Sequence, residues 1–275
     1  MSRIISFHVV FRCLRPLVLV VWSGSVVSAY VRSIVKSFGE VRLLAVSPLF
    51  INTADNKVEL VLSRLADNKP RILREGTLVS FHFTITVQPQ DEKRLGSIIS
   101  DITNTLNEKL SKHGFAIEQL DVCITDLEAL KPQRVEGHGS SRYILTLEFS
   151  PTIFVFRGWR VLYPSPSRLI FSLAKGLSQL FPVDVARVKK RANVLIKYME
   201  ILGQSLRIVD LDIGKGRIVK AFLGRTTYGV HGRDNLVDVL TLVRLGELIN
   251  VGKNRGIGFG HIKLIEVKPA DQELS

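Results

Sequence analysis

Residues 3–12 alternate in character, with Phe7, Val9 and Phe11 on one side and Ser6, His8 and Arg12 on the other, which is the period of a half-buried strand. From Val27 the apolar spacing turns helical, through Tyr30, Val31, Ile34 and Val35. Ser23, Gly24 and Ser25 supply turn and N-cap chemistry and Gly39 a stop, so a helix is expected over about 25–37. Strands are expected at Val41 to Phe50 and at Thr77 to Val87. The second sets Val79, Phe81, Phe83, Ile85 and Val87 against Ser80, His82, Thr84 and Thr86, which puts His8 and His82 on half-exposed polar faces. A helix over about 91–112, stopped by Gly114, and a strand near 117–125 complete the order β-α-β-β-α-β.

Pro132, Gly137, His138 and Gly139 mark residues 131–141 as a linker. Beyond it the same order is legible again. Tyr143, Leu145, Leu147 and Phe149 alternate along a strand, and Pro164-Ser-Pro-Ser167 opens a helix carrying Leu169, Ile170, Leu173, Leu177 and Leu180. A helix-rich stretch over about 184–203, strands at about 206–213 and 217–224, a helix at about 234–250 and a strand from His261 to Val267 follow. The expected fold class is α+β: two tandem ferredoxin-like (RRM-like) βαββαβ domains, residues 1–136 and 137–275.

Charge adds the first functional information. The 275 residues hold 38 Lys and Arg against 25 Asp and Glu, a net of +13. Residues 1–136 carry 17 basic and 14 acidic side chains, and residues 137–275 carry 21 and 11. A basic excess concentrated in one half fits a nucleic-acid partner; a merely solvated Lys/Arg-rich surface is the bland alternative. With 46% hydrophobic and 23% charged residues the chain is not a disordered or low-complexity one. Cys13 and Cys123 are too few for a disulfide framework or a four-thiolate zinc site, so a reducing, cytoplasmic setting with no metal or cofactor is expected. Leu17 to Trp22, preceded by Arg12 and Arg15, has the outline of a secretory signal but is far shorter than the roughly 18 apolar residues of a membrane span. No lysine-lined amphipathic helix marks a membrane partner.

The most specific local feature is Gly252-Lys-Asn-Arg-Gly-Ile-Gly-Phe-Gly260. Such a segment can expose backbone N–H groups and bring Lys253 and Arg255 to phosphates; equally, it can be a connection whose glycines only supply positive φ. It lacks the Gly-Lys-Ser/Thr ending of a Walker loop, and it lies between a helix and a strand, the reverse of a dinucleotide fingerprint.

The stretch from Leu245 to Lys263, with this segment inside it, resembles the C-terminal signature of the sixth CRISPR-associated (Cas) protein family. These are the repeat-processing endoribonucleases of the repeat-associated mysterious protein superfamily. Ser47-Pro-Leu-Phe50, Glu75-Gly-Thr77, Ser150-Pro-Thr152 and Tyr163-Pro-Ser-Pro166 agree with it in order and spacing, so the resemblance runs over essentially the whole chain. It implies two tandem ferredoxin-like domains and metal-independent cleavage of CRISPR precursor RNA within its repeats. In that reaction a 2′-hydroxyl attacks the adjacent phosphate and leaves a 2′,3′-cyclic phosphate. The implied partners are CRISPR repeat RNA and other CRISPR-associated effector subunits, with a homodimer left open.

The family often places a histidine in or just after the first helix, and this chain has none between Ser23 and Leu73. The resemblance then leaves Lys36 and Tyr30 as candidate catalytic residues, although Tyr30 also fits the buried stripe of its helix. Candidate RNA-binding residues are Gly252, Lys253, Asn254, Arg255, Gly256, Gly258, Gly260 and His261. Arg32, which stands i, i+4 from Lys36, joins them, as do Arg225 and His231, the last in an expected turn at Tyr228–Arg233. Arg187, Lys189, Lys190 and Arg191 read as a basic helix face. The rival function is a non-catalytic RNA-binding paralogue or a guide-RNA-capping subunit.

Overall fold

A computed structural model describes residues 3–39, 41–53, 58–62, 70–87, 89–132 and 141–270. The first half runs β1 (Arg3–Cys13), α1 (Ser23–Val35), β2 (Val41–Val46), β3 (Leu78–Val87), α2 (Leu95–Lys112) and β4 (Phe115–Thr125). The second runs β5 (Arg142–Thr152), α3 (Pro166–Leu180), α4 (Val185–Lys197), β6 (Met199–Asp212), β7 (Ile218–His231), α5 (Arg233–Ile249) and β8 (Ile262–Pro269). In the first sheet β3 lies between β2 and β1, and β1 pairs β4; in the second the order is β6-β7-β5-β8. Every one of these pairings is antiparallel, so both halves have the interleaved strand order of a ferredoxin-like fold. The expected linker and the boundary at residue 136 fall largely on 133–140, outside the described residues.

Each half closes its own core. The inward face of the first sheet, with Phe7, Val9, Phe81 and Phe83, packs on Val27, Val31 and Ile34 of α1 and on Ile98, Ile102 and Leu106 of α2. In the second, Tyr143, Leu145, Leu147 and Tyr228 pack on Leu169 and Leu173 of α3 and Leu236, Val239 and Val243 of α5. Ser165 caps α3, its hydroxyl accepting from the Arg168 N–H, and Pro166 sits at the first helical position as the sequence suggested.

Several boundaries differ from expectation for local reasons. The strand expected through Val41–Phe50 breaks at Ser47-Pro48. Pro48 has no N–H to donate, and the Ser47 hydroxyl takes the His82 N–H at 2.7 Å in place of a ladder carbonyl. Helix α1 begins at Ser23, whose hydroxyl is drawn into the core and donates to the Val61 carbonyl rather than capping. Residues 199–203 are strand, not helix, and the β6–β7 pair is longer than its pattern suggested. Leu17–Leu19, in the run whose outline resembles a secretory signal, is a short strand of the folded domain paired with Arg71–Leu73. No helix among the described residues is long and apolar enough to cross a membrane.

The largest departure concerns the second face of the first sheet, which is covered rather than open. Ile4 is buried with Leu130, Leu180, Phe181, Leu245 and Ile249, and the Thr84 hydroxyl donates to the Leu248 carbonyl at 2.6 Å. The α3 and α5 ends of the second half therefore dock on this face and press the following glycine-rich segment against α1.

Candidate nucleic-acid interface

The glycine-rich segment is pinned at both ends. Asn250 leaves α5 with φ 59°, and its amide donates to the carbonyls of Val46, Arg255 and Phe259, tying the segment to β2 and to itself. Gly252 (φ 73°) donates to the Ser172 hydroxyl, and a side chain there would lie 2.3 Å from the Ile153 carbonyl oxygen. Gly258 (φ 83°) approaches Gly24 of α1 so closely that a Cβ would sit 2.5 Å from the Gly24 Cα. Gly260 lies as tightly against Val251. Close packing therefore explains Gly252, Gly258 and Gly260, leaving the turn Asn254–Gly256 between them as the part able to present N–H groups. Among the described residues no acceptor is bonded to the N–H groups of Asn254, Arg255 and Gly256.

This turn meets α1. The Ser28 hydroxyl donates to the Gly256 carbonyl at 2.5 Å, the Arg32 guanidinium reaches that oxygen at 3.5 Å and Ser28 at 3.1 Å, and the Trp22 indole donates to the Ile257 carbonyl at 3.0 Å. Trp22 is fully buried against Phe259, which anchors the contact. Arg32 and the glycine-rich segment, 220 residues apart in the chain, thus form one seam. Lys36 continues the Arg32 face into solvent one helical turn on.

The seam's charge is uncompensated. Arg32, Lys36, Arg42, Lys253 and Arg255 have no carboxylate within ion-pair distance among the described residues. Burial, then the neighbouring Arg42, pushes the Arg255 guanidinium below its usual value, the direction expected of cations crowded without a counterion. Such a group of like charges fits a polyanion.

Other candidates lie elsewhere. Tyr30 faces away from the seam: its hydroxyl donates to the Leu106 carbonyl between α1 and α2, and desolvation raises its pKa, so it is poorly placed to exchange a proton there. Arg225 is on the outer face of the second sheet, paired with Glu148 at 3.0 Å. His231 ends β7 instead of occupying a turn, and Glu200 holds it at 2.9 Å while also pairing with Arg142. Arg191 on α4 pairs with Asp238.

His261 does not reach the surface of the glycine-rich segment. It turns inward between Phe50 and His82, and His82 stacks in turn on His8 with ring centroids 4.3 Å apart. Burial, then Lys263, lowers His261 to about 4. Burial, then the charges of His261, His8 and Lys263, lowers His82 to about 3; as its pattern suggested, His82 is half-buried, a neutral ring stacked between His8 and His261. Among the described residues no cluster of three or more His, Cys, Asp or Glu could hold a metal ion. Sequence reasoning missed Arg42, Ser28, Trp22 and Asn250; only Asn250, at the end of an amphipathic helix, carried a local signal.

Residues 147–262 match the family model described as CRISPR-associated endoribonuclease Cas6, so the resemblance seen in the sequence holds over this part of the chain. No curated protein matches the chain in sequence. Among solved structures, Thermus thermophilus Cas6 superposes with a TM-score of 0.59 at 14% identity, covering 96% of this chain and 99% of that one. A Cas6 product complex gives 0.59 at 14% identity, covering 96% of this chain and 100% of its own. One chain of a partial Cas6-RT-Cas1–Cas2 complex gives 0.62 at 14%, with 96% of this chain matched to 46% of that longer one. At such identity these likenesses establish the shared fold of two tandem ferredoxin-like units.

Proposed function

We propose that this chain, which matches the Cas6 endoribonuclease family model over residues 147–262, acts as a member of that family, binding CRISPR repeat RNA at the seam between α1 and the glycine-rich segment and cleaving it there. The observation that carries the reading is the joining of Arg32 on α1 to Gly256 in the segment, which gathers cations without counterions around N–H groups that no described acceptor takes. Single-stranded RNA drawn over this seam would place successive phosphates against Arg32, Arg255 and Lys253. In the reaction the 2′-oxygen bonds to phosphorus, its proton passes to a base, and the P–O5′ bond breaks as the 5′-oxygen gains a proton. Arg32 and Arg255 would stabilise the pentacoordinate charge, and Lys36, on the same helix face, would supply a proton or a positive charge to the leaving oxygen. Arginine retains its charge throughout, so proton transfer falls to Lys36 rather than to its neighbours.

A second reading is supported by the histidines. Among the described residues none contacts Arg32, Lys36 or Arg255, and His82 and His261 stack on one another, half-buried and neutral. A seam with cations and no titrating imidazole suits RNA binding without cleavage. The discriminating experiment is incubation of labelled repeat RNA in excess EDTA, with a 2′-deoxy substitution at the mapped cut. The cleaving reading expects chelator-resistant cutting that the 2′-deoxy blocks, and a loss of about 100-fold in Lys36→Ala at similar affinity. Tight binding with no cutting would replace it with the binding-only reading.

A further inference from the structure

Beside the seam stands a small hairpin whose composition is out of keeping with a mere connection. Phe154–Phe156 pairs antiparallel with Trp159–Val161, so Phe154, Phe156, Trp159 and Val161 share one face. Phe154 and Val161 pack into the core of the second half, while Phe156 and Trp159 overhang it. Trp159 is 79% exposed, more than any other large apolar side chain described. The connecting turn is Arg157-Gly158, with φ of 47° and 86°; a left-handed arginine is uncommon where Asn or Gly would serve. The Arg168 guanidinium lies 3.9 Å above the Phe156 ring and Arg157 5.2 Å from its centroid. None of Arg157, Arg160 and Arg168 meets a carboxylate among the described residues, and the Arg168 Nε is buried with no hydrogen-bond partner.

The hairpin is continuous with the glycine-rich segment. Ile153, the residue before it, accepts the Lys253 N–H at 2.8 Å, and the missing side chain of Gly252 leaves room for that carbonyl and for the Phe154 ring. A chain of phosphates leaving the seam at Lys253 would therefore run directly onto the arginines of the hairpin.

We propose that Phe154–Val161 is a base-stacking platform for an unpaired nucleotide of the RNA, with Trp159 stacking on the base and Arg157 and Arg168, both at the Phe156 ring of the same face, on the flanking phosphates. An open indole on a face that also carries the Arg157 and Arg168 guanidinium groups, neither meeting a carboxylate among the described residues, has the chemistry of a single-strand RNA site: every base offers a π-face and every linkage an anion. A protein partner of ordinary interface composition would leave three arginines to be neutralised. The assignment rests on the seam reading for its location, and its test separates the two.

Tryptophan emission is followed while a single-stranded uridine oligoribonucleotide, and then repeat RNA, is titrated into wild type, Trp159→Ala, Trp159→Phe and an Arg32→Ala/Arg255→Ala double variant. Trp22 lies beneath the seam, so the part of the emission change that is lost in Trp159→Phe, where Trp22 alone emits, reports on Trp159. The proposal expects quenching in wild type, about tenfold weaker oligonucleotide binding in Trp159→Ala, and recovery to within about threefold in Trp159→Phe. Weaker binding in the seam variant with the quench intact at saturation supports both assignments. Loss confined to the Trp159 variants sustains the hairpin and overturns the seam. Unchanged affinity in Trp159→Ala while the seam variant fails overturns the hairpin and leaves the seam. Self-association seen by sedimentation in wild type and lost in Trp159→Ala, with RNA affinity unchanged, assigns the surface to a second protein chain and also overturns it.

Discussion

The seam and the outer face of the second sheet are both rich in cations, and they differ in what stands beside each one. On the sheet, Arg225 meets Glu148, Arg142 and His231 share Glu200, and Lys220 lies 3.4 Å from Asp210. At the seam, Arg32 meets a backbone carbonyl and a serine hydroxyl, Arg255 and Arg42 meet one another's charge, and Lys36 stands exposed. A neutralised arginine adds little to the field a polyanion feels, and an exposed pair of this kind contributes only about 0–1 kcal/mol to stability. A net charge of +13 therefore identifies a class of partner but not its site, which is set by the cations the fold leaves unpaired.

The comparison can be broken from the seam side by its packing. Gly258→Ala adds a Cβ against Gly24 at a φ of 83°, where both contact and backbone oppose it. About 2 kcal/mol of stability should be lost, read as a fall of several degrees in the unfolding midpoint. RNA affinity should fall as well, because the glycine-rich segment can no longer lie on α1, whereas the ion pairs of the second sheet remain.

A smaller effect, driven by pH, acts on the joint that holds the halves together. His82 and His261 are lowered to about 3 and about 4 by burial, whereas the unfolded chain protonates them near 6.5. Their contribution to stability is complete above about pH 6.5 and is lost as the pH falls from there towards 4 and 3, by up to about 1.4 kcal/mol per pH unit for each histidine. His261→Phe keeps a ring between Phe50 and His82 without a titrating group. The drop in unfolding midpoint between pH 7.5 and 5.5 should then shrink to about half its wild-type size.

Much of the architecture was legible because period and punctuation agree: the alternation of β3, the apolar stripe of α2 and Pro166 at the start of α3 are local signals. What was not legible depended on contacts distant in sequence. Ser80 and Thr84 read as a polar strand face, yet both are buried, Thr84 where its hydroxyl meets Leu248 of α5 from the other half and Ser80 where its hydroxyl meets Asn52. His261 follows a glycine run and reads as surface, while its half-buried ring packs against Phe50 and His82, which lie far upstream in the chain. Arg225 and Arg32 look alike in the sequence, and only strand register, setting Arg225 opposite Glu148, separates them. Tyr30 sits on the same helix as Arg32, but one hundred degrees per residue turns it towards α2.

The most direct test of the account is the salt dependence of RNA affinity, measured for wild type, Arg32→Ala/Arg255→Ala and Arg225→Ala. Each phosphate contact removed from single-stranded RNA should lower the slope of log affinity against log salt by about 0.7. The account predicts a slope shallower by about 1.4 in the seam variant and unchanged in Arg225→Ala. An unchanged slope in the seam variant, with a shallower one in Arg225→Ala, would place the RNA on the second sheet and contradict it.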